Sequence, residues 1–182
     1  MKTINFCGDS FCATKRREHS WPIYLANLLD YEILGYGRNG AAYEHAIQTF
    51  DPSADATVFC WTDPDRLYHP THQVNFATVE KTLTNKRNQA AYAYYKYLSD
   101  LQYNLERHQR DMYWFDNVRL KYYKGKIVHL FCYESAFYPF EHGTLSRTPL
   151  HTIAIYDNNI SANHLTREHN IKLANYLYEI LK

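Results

Sequence analysis

Short apolar runs alternate along this chain with longer segments whose apolar residues recur every three or four positions. The run TINFCGD (3–9) stays apolar until it meets turn residues and predicts a first strand. SWPIYLANLLD (20–30) follows with Trp21-Pro22 suited to a helix start and Ile23, Leu25, Leu28 and Leu29 on one face. YEILGYG (31–37) predicts a second strand, 41–50 a helix and ATVFCW (56–61) a third strand. From 77 to about 117 the pattern is helical with a break or bend in it. Tyr94, Tyr97, Leu98, Leu101 and Leu105 make a stripe at helical spacing that is expected to face the core. KIVHLFCYE (126–134) predicts a fourth strand and HTIAIYD (151–157) a short fifth. The chain closes on an amphipathic helix with Leu173, Leu177 and Ile180 on one side.

Strands that alternate with helices pair in parallel, because each connection must cross over the sheet. Nearly continuous apolar strands such as IVHLFC (127–132) fit a sheet covered on both faces. The expectation is a single α/β domain over 1–182: a three-layer sandwich around a central parallel sheet, with a helical insertion at about 77–118. No internal repeat, low-complexity segment or linker interrupts the pattern. The polar stretch 69–84 reads as a loop, either a lid or the approach to the long helical region.

Composition narrows the classes. The chain has 182 residues, enough to bury a real core, and 20 Lys+Arg against 19 Asp+Glu leave a formal charge of +1. Nothing in that balance points to a nucleic-acid phosphate track. No apolar run approaches the roughly 18 residues of a membrane span, and no signal-type segment opens the sequence, so a cytoplasmic protein without membrane partners is expected. Cys7, Cys12, Cys60 and Cys132 show no C-x-x-C spacing and read as buried reduced thiols. The ten histidines form no H-E-x-x-H or H-x-x-x-H pattern, so neither a metal site nor a cofactor is expected. Tyrosine is abundant, with 18 residues, which suits either packing or a carbohydrate-contacting surface.

In an open parallel sheet, sites form beyond the C-terminal ends of the strands. That rule makes neighbours of Ser10 after strand one, GYGRNGAA (35–42) after strand two, Trp61-Thr62-Asp63 after strand three and His164 at the start of the last helix. A serine hydroxyl is a poor nucleophile until a base takes its proton, and histidine suits that task near neutral pH. Tight turns behind the serine offer N–H groups to a tetrahedral oxyanion, and a glycine lets the substrate carbonyl approach closely. The plainer readings are that Ser10 and the glycines are turn residues, that His164 caps a helix, that TDPDR (62–66) is a turn, and that Arg66 pairs with Asp63 or Asp65.

The set resembles the SGNH (GDSL-type) hydrolase family. GDS at 8–10 matches the family's first block, with Ser10 as nucleophile and oxyanion donor. GYGRNG (35–40) is similar to the second block, which gives Gly40 the oxyanion N–H, although the block's leading Asn is Gly35 here. SANHLTREHNIKLANYL (161–177) resembles the terminal block, making His164 the base. The resemblance spans nearly the whole chain in the family's order, and small phage-encoded members have a comparable layout. It implies a serine esterase working through an acyl-enzyme on a small-molecule or glycan ester. The tyrosines near the strand ends, Tyr36, Tyr43 and Tyr68, lean the reading toward a short O-acetyl ester of a carbohydrate.

Two positions depart from the family pattern. Asp63 stands where the third block has an oxyanion-donating Asn, and an ionised carboxylate cannot donate. Thr62 or a backbone N–H can substitute, and Thr62 and Arg66 are candidate substrate-binding residues. The family's acid, three positions before the histidine, falls on Ser161. Asp157 is the nearest upstream carboxylate, and otherwise a backbone carbonyl orients the ring and the site is a Ser–His dyad. These departures keep two rival functions open. One is a catalytically impaired binding or virion-associated protein with this fold, and the other is an interaction protein that dimerises through the Tyr-rich helix 90–113.

Overall fold

The computed structural model describes residues 1–13, 19–81, 83–155 and 164–182. Strand β1 (Thr3–Gly8) leads through α1 (Trp21–Leu29) to β2 (Glu32–Gly35), and α2 (Tyr43–Thr49) leads to β3 (Ala56–Trp61). Three helices follow, α3 (Phe76–Lys81), α4 (Lys86–Tyr97) and α5 (Leu101–Trp114), before β4 (Lys126–Phe131) and the two-residue β5 (Thr144–Leu145). Helices α6 (Leu150–Ile155) and α7 (Arg167–Leu181) complete the fold. The strands form one sheet in the order β2-β1-β3-β4-β5, and every pairing is parallel. This is the expected α/β class, a three-layer sandwich with the flavodoxin-like strand order. No helix among the described residues is long and apolar enough to cross a membrane.

Side-chain alternation along the inner strands builds the two outer layers. Ala56, Val58 and Cys60 of β3 and Val128 and Leu130 of β4 join Ile4 and Phe6 against Trp21, Leu25, Leu173 and Leu177 of α1 and α7. The opposite faces, Phe59, Trp61, Ile127 and Phe131, pack with Tyr43 and Ala46 of α2 and with Met112 and Phe115. A strand buried on both sides shows no polar alternation, which is why these runs read as continuously apolar. Asn5, Thr57 and His129 are the buried polar positions within these strands, and His129 is the one that titrates. Its Nδ1 accepts the Trp61 indole N–H at 3.0 Å, so its Nε2 carries the proton and donates to the His142 carbonyl at 2.9 Å. Burial pushes its pKa down to about 4.

Three expectations are corrected. The segment expected as a fifth strand is helical through Ile155, and the edge strand is Thr144–Leu145 instead. The long helical region breaks at Leu98, and the break shifts the helical phase. As a result Tyr97, Leu98 and Leu101 lie largely exposed, while α5 buries Asn104, His108 and Met112. The middle of the stripe expected in the core therefore faces solvent at the α4–α5 corner, while Tyr94 and Leu105 at its ends are half-buried. The polar stretch 69–84, expected as a loop, is helical over Phe76–Lys81, and ahead of that helix Leu67 N–H donates to the Val74 carbonyl and the Tyr95 hydroxyl donates to that same carbonyl at 2.9 Å.

Candidate active site

β1 has β2 on one side and β3 on the other, so the chain's direction of travel across the sheet reverses there. A crevice opens at such a point beyond the strand ends. Gly8 ends β1 in register with Cys60, and a β-carbon on it would lie 2.4 Å from the Cys60 carbonyl oxygen. Only glycine fits that approach. The chain then turns at once: Cys12 N–H donates to the Asp9 carbonyl at 3.2 Å, and Asp9 Oδ1 accepts the Phe11 N–H at 3.0 Å. This doubly closed Asx-type turn puts Ser10 at its tip.

His164 reaches that tip from the far end of the sequence. Its Nε2 lies 2.8 Å from Ser10 Oγ, a hydrogen bond spanning 154 positions. The His164 backbone is left-handed, at φ 63°. Such a conformation costs a non-glycine residue about 1–3 kcal/mol and persists only where the surroundings enforce it. Leu165, fully buried in the α1–α7 layer, supplies one anchor. Asn170 supplies another, donating from Nδ2 to the Leu165 carbonyl at 3.2 Å and the Thr166 carbonyl at 2.8 Å. The imidazole also packs on Phe11, with ring centroids 4.9 Å apart.

One residue joins the two turns. Trp21 donates its backbone N–H to Asn170 Oδ1 at 2.8 Å and its indole N–H to the Phe11 carbonyl at 2.7 Å. The serine turn and the histidine turn thus share a fully buried clip. Sequence reasoning gave Trp21 only the role of a helix start and Asn170 none by name. The available signal was an asparagine placed on the apolar stripe of α7, between Leu165 and Leu173.

Beneath Ser10, the fully buried Asp9 carboxylate collects donors. Oδ2 accepts from Thr62 Oγ1 at 2.9 Å and Arg66 Nη1 at 3.0 Å, and Oδ1 accepts from Cys132 Sγ at 3.4 Å as well as from Phe11. Burial opposes the Arg66 charge, yet Asp9, Tyr133, Cys132 and Asp63 together hold its pKa above the usual value. Burial pushes the Cys132 thiol up to about 12, so it remains a donor. Thr62 and Arg66, expected at the substrate, therefore spend their polar groups on Asp9. Arg66 also reaches the Ala41 carbonyl at 3.0 Å and the Tyr133 hydroxyl at 3.2 Å, tying the second loop to the first.

That second loop docks through Arg38 N–H on the Gly8 carbonyl at 3.0 Å and Gly37 N–H on the Cys12 carbonyl at 3.2 Å. Gly40 in it adopts φ +64°, a conformation glycine takes freely. Among the described residues no hydrogen bond engages the backbone N–H of Ser10 or of Gly40. Asp63 is turned inward on its own loop, with Oδ1 accepting the Asp65 N–H at 3.1 Å. Asp157 and Ser161, the candidate acid positions, lie outside the described residues. Of the three tyrosines, Tyr43 is buried and bonds Asp111 at 2.7 Å, while Tyr36 and Tyr68 are half-buried. All four cysteines are buried and free. Comparison of the chain with protein-family models, curated proteins and solved structures finds no match in any of the three.

Proposed function

We propose that this protein is a serine ester hydrolase of the SGNH type, acting through an acyl-enzyme. The observation that carries the reading is the 2.8 Å contact between Ser10 Oγ and His164 Nε2 at the C-terminal edge of a parallel sheet. As Ser10 Oγ attacks the ester carbonyl, its proton passes to His164 Nε2. The carbonyl oxygen, now negative, turns to the N–H groups of Ser10 and Gly40. Collapse expels the alcohol, which takes the proton from His164, and a water molecule repeats the sequence on the acyl-enzyme. Asp157 is the carboxylate that this reading assigns to the other ring nitrogen.

The substrate we favour is a short acyl ester, with an O-acetyl carbohydrate as the leading class. Support comes from Tyr133, half-buried and edge-on to Phe11 of the Ser10 turn, and from the half-buried Tyr36 and Tyr68 in the loops after β2 and β3. Tyr43, being buried, no longer contributes. The test is covalent labelling with a fluorophosphonate probe, located by peptide mass, alongside turnover of p-nitrophenyl acetate and octanoate. The expected result is labelling at Ser10, lost in Ser10→Ala and His164→Ala, with acetate turned over faster than octanoate. An unlabelled wild type, equally slow with Ser10→Ala on both esters, overturns the reading in favour of a binding protein.

A further inference from the structure

The loop after β3 returns across the face of Gly40. Arg38 clamps it there, with its guanidinium donating to the His69 carbonyl at 2.6 Å and also to the Pro70 carbonyl. Leu67 N–H on the Val74 carbonyl closes the loop on its other side. Between these ties lies Gln73. A β-carbon on Gly40 would sit 2.5 Å from Gln73 Cγ, 2.7 Å from Cδ and 2.8 Å from Cβ. The side chain therefore lies flat over Gly40, with its carboxamide carbon against the residue whose N–H faces the reacting carbonyl in the esterase reading. Among the described residues nothing hydrogen-bonds that carboxamide, whereas the nearby Asp63 and Arg66 side chains are engaged within the fold.

Asp63 is the other side chain at hand, and it fails chemically. A carboxylate accepts but does not donate, and its charge opposes a developing oxyanion. Its Oδ1 is moreover held by the Asp65 N–H. A glutamine amide has two N–H donors and no charge.

We propose that Gln73 is a catalytic residue, donating its side-chain N–H to the developing oxyanion beside Gly40 and Ser10. This rests on the serine-esterase reading. It gives the 69–74 loop a function: the Arg38 clamp holds the loop so that Gln73 stays over Gly40, and the exposed side chain meets substrate as it arrives.

The experiment measures p-nitrophenyl acetate turnover and the second-order rate of fluorophosphonate labelling for wild type, Gln73→Ala, Gln73→Glu and Gln73→Asn. Removing one oxyanion donor typically costs about 10²-fold or more, so Gln73→Ala is expected to lose kcat on that scale with KM nearly unchanged. Labelling should slow in parallel. Gln73→Glu should be no better than alanine, and Gln73→Asn should recover part of the rate. Melting temperatures should stay level, since the residue is exposed. Wild-type kcat and labelling in Gln73→Ala, or a change confined to KM, overturns the role of Gln73 and leaves the esterase reading intact. A wild type that is not labelled at Ser10 overturns both.

Discussion

Asn170 Oδ1 accepts the backbone N–H of Trp21 at 2.8 Å, joining the starts of α7 and α1 across 149 positions of sequence. Both residues are fully buried, and each also holds one of the turns that carry Ser10 and His164. Asn170→Ala strips a partner from the Trp21 N–H and from two carbonyls. Unsatisfied buried groups cost about 1–3 kcal/mol each, so a loss of several kcal/mol is expected in urea unfolding. Trp21→Phe keeps an aromatic ring but removes the indole N–H and leaves part of its buried space empty, so its expected loss is at least about 1–3 kcal/mol. In both variants fluorophosphonate labelling should slow by more than the folded fraction accounts for, because the two turns lose their common reference.

Arg66 is the main counter-charge to Asp9, and its side chain is only 11% exposed. Arg66→Ala leaves a buried carboxylate without its cation, which typically costs about 3–5 kcal/mol. Arg66→Lys should recover only part of this. A single ammonium cannot serve Asp9, the Ala41 carbonyl and the Tyr133 hydroxyl together, as the guanidinium does. Denaturant midpoints of the three proteins test the order wild type, lysine, alanine.

Acid should weaken the fold through buried histidines. Burial pushes the pKa of His108 and of His129 down to about 4. Between the unfolded value near 6.5 and that folded value, the unfolded chain binds more protons, so stability falls as pH drops through this window. A shift of this size corresponds to about 3 kcal/mol per histidine at full effect. His108 permits a clean test because neither ring nitrogen has a hydrogen-bond partner. His108→Leu should flatten the dependence of melting temperature on pH between 6.5 and 4 and should stabilise the protein at pH 5. Unchanged slopes would remove His108 from this account.

Gly40→Ala meets two obstacles at once. Its φ of +64° costs an alanine about 1–2 kcal/mol, and the new methyl strikes Gln73. The expected outcome is a modest fall in melting temperature with a far larger loss of Ser10 labelling. Gly40→Ala combined with Gln73→Ala should recover part of the lost melting temperature, since the Cγ and Cδ contacts go while the 2.8 Å approach to Cβ and the left-handed backbone cost remain, without recovering activity. Equal losses of stability and labelling would mark Gly40 as a structural glycine only.

Local pattern was enough for the inner strands and for the class of fold. TINFCGD, ATVFCW and KIVHLF lack the polar alternation of a half-exposed strand because both faces of the sheet are covered, and that fact needs no partner to be read. The same reasoning misplaced the Tyr97–Leu101 stripe. A break at Leu98 rotates α5 relative to α4, and periodicity counted across a break assigns faces that do not exist. It also misread the start of HTIAIYD, whose β-branched residues favour a strand, whereas α6 carries Thr152, Ile153 and Ile155 as a helix with Leu150 buried.

By itself the sequence determined the turn that carries Ser10, since Gly-Asp-Ser after an apolar run is a local device, and it marked His164 as the candidate base. The meeting of the two across 154 positions was decided by tertiary structure alone, through the parallel crossover that returns α7 beside α1. Tertiary structure also brought Thr62 and Arg66 onto Asp9. A buried carboxylate needs donors from whichever strands the fold brings near it, and no linear pattern records which these will be.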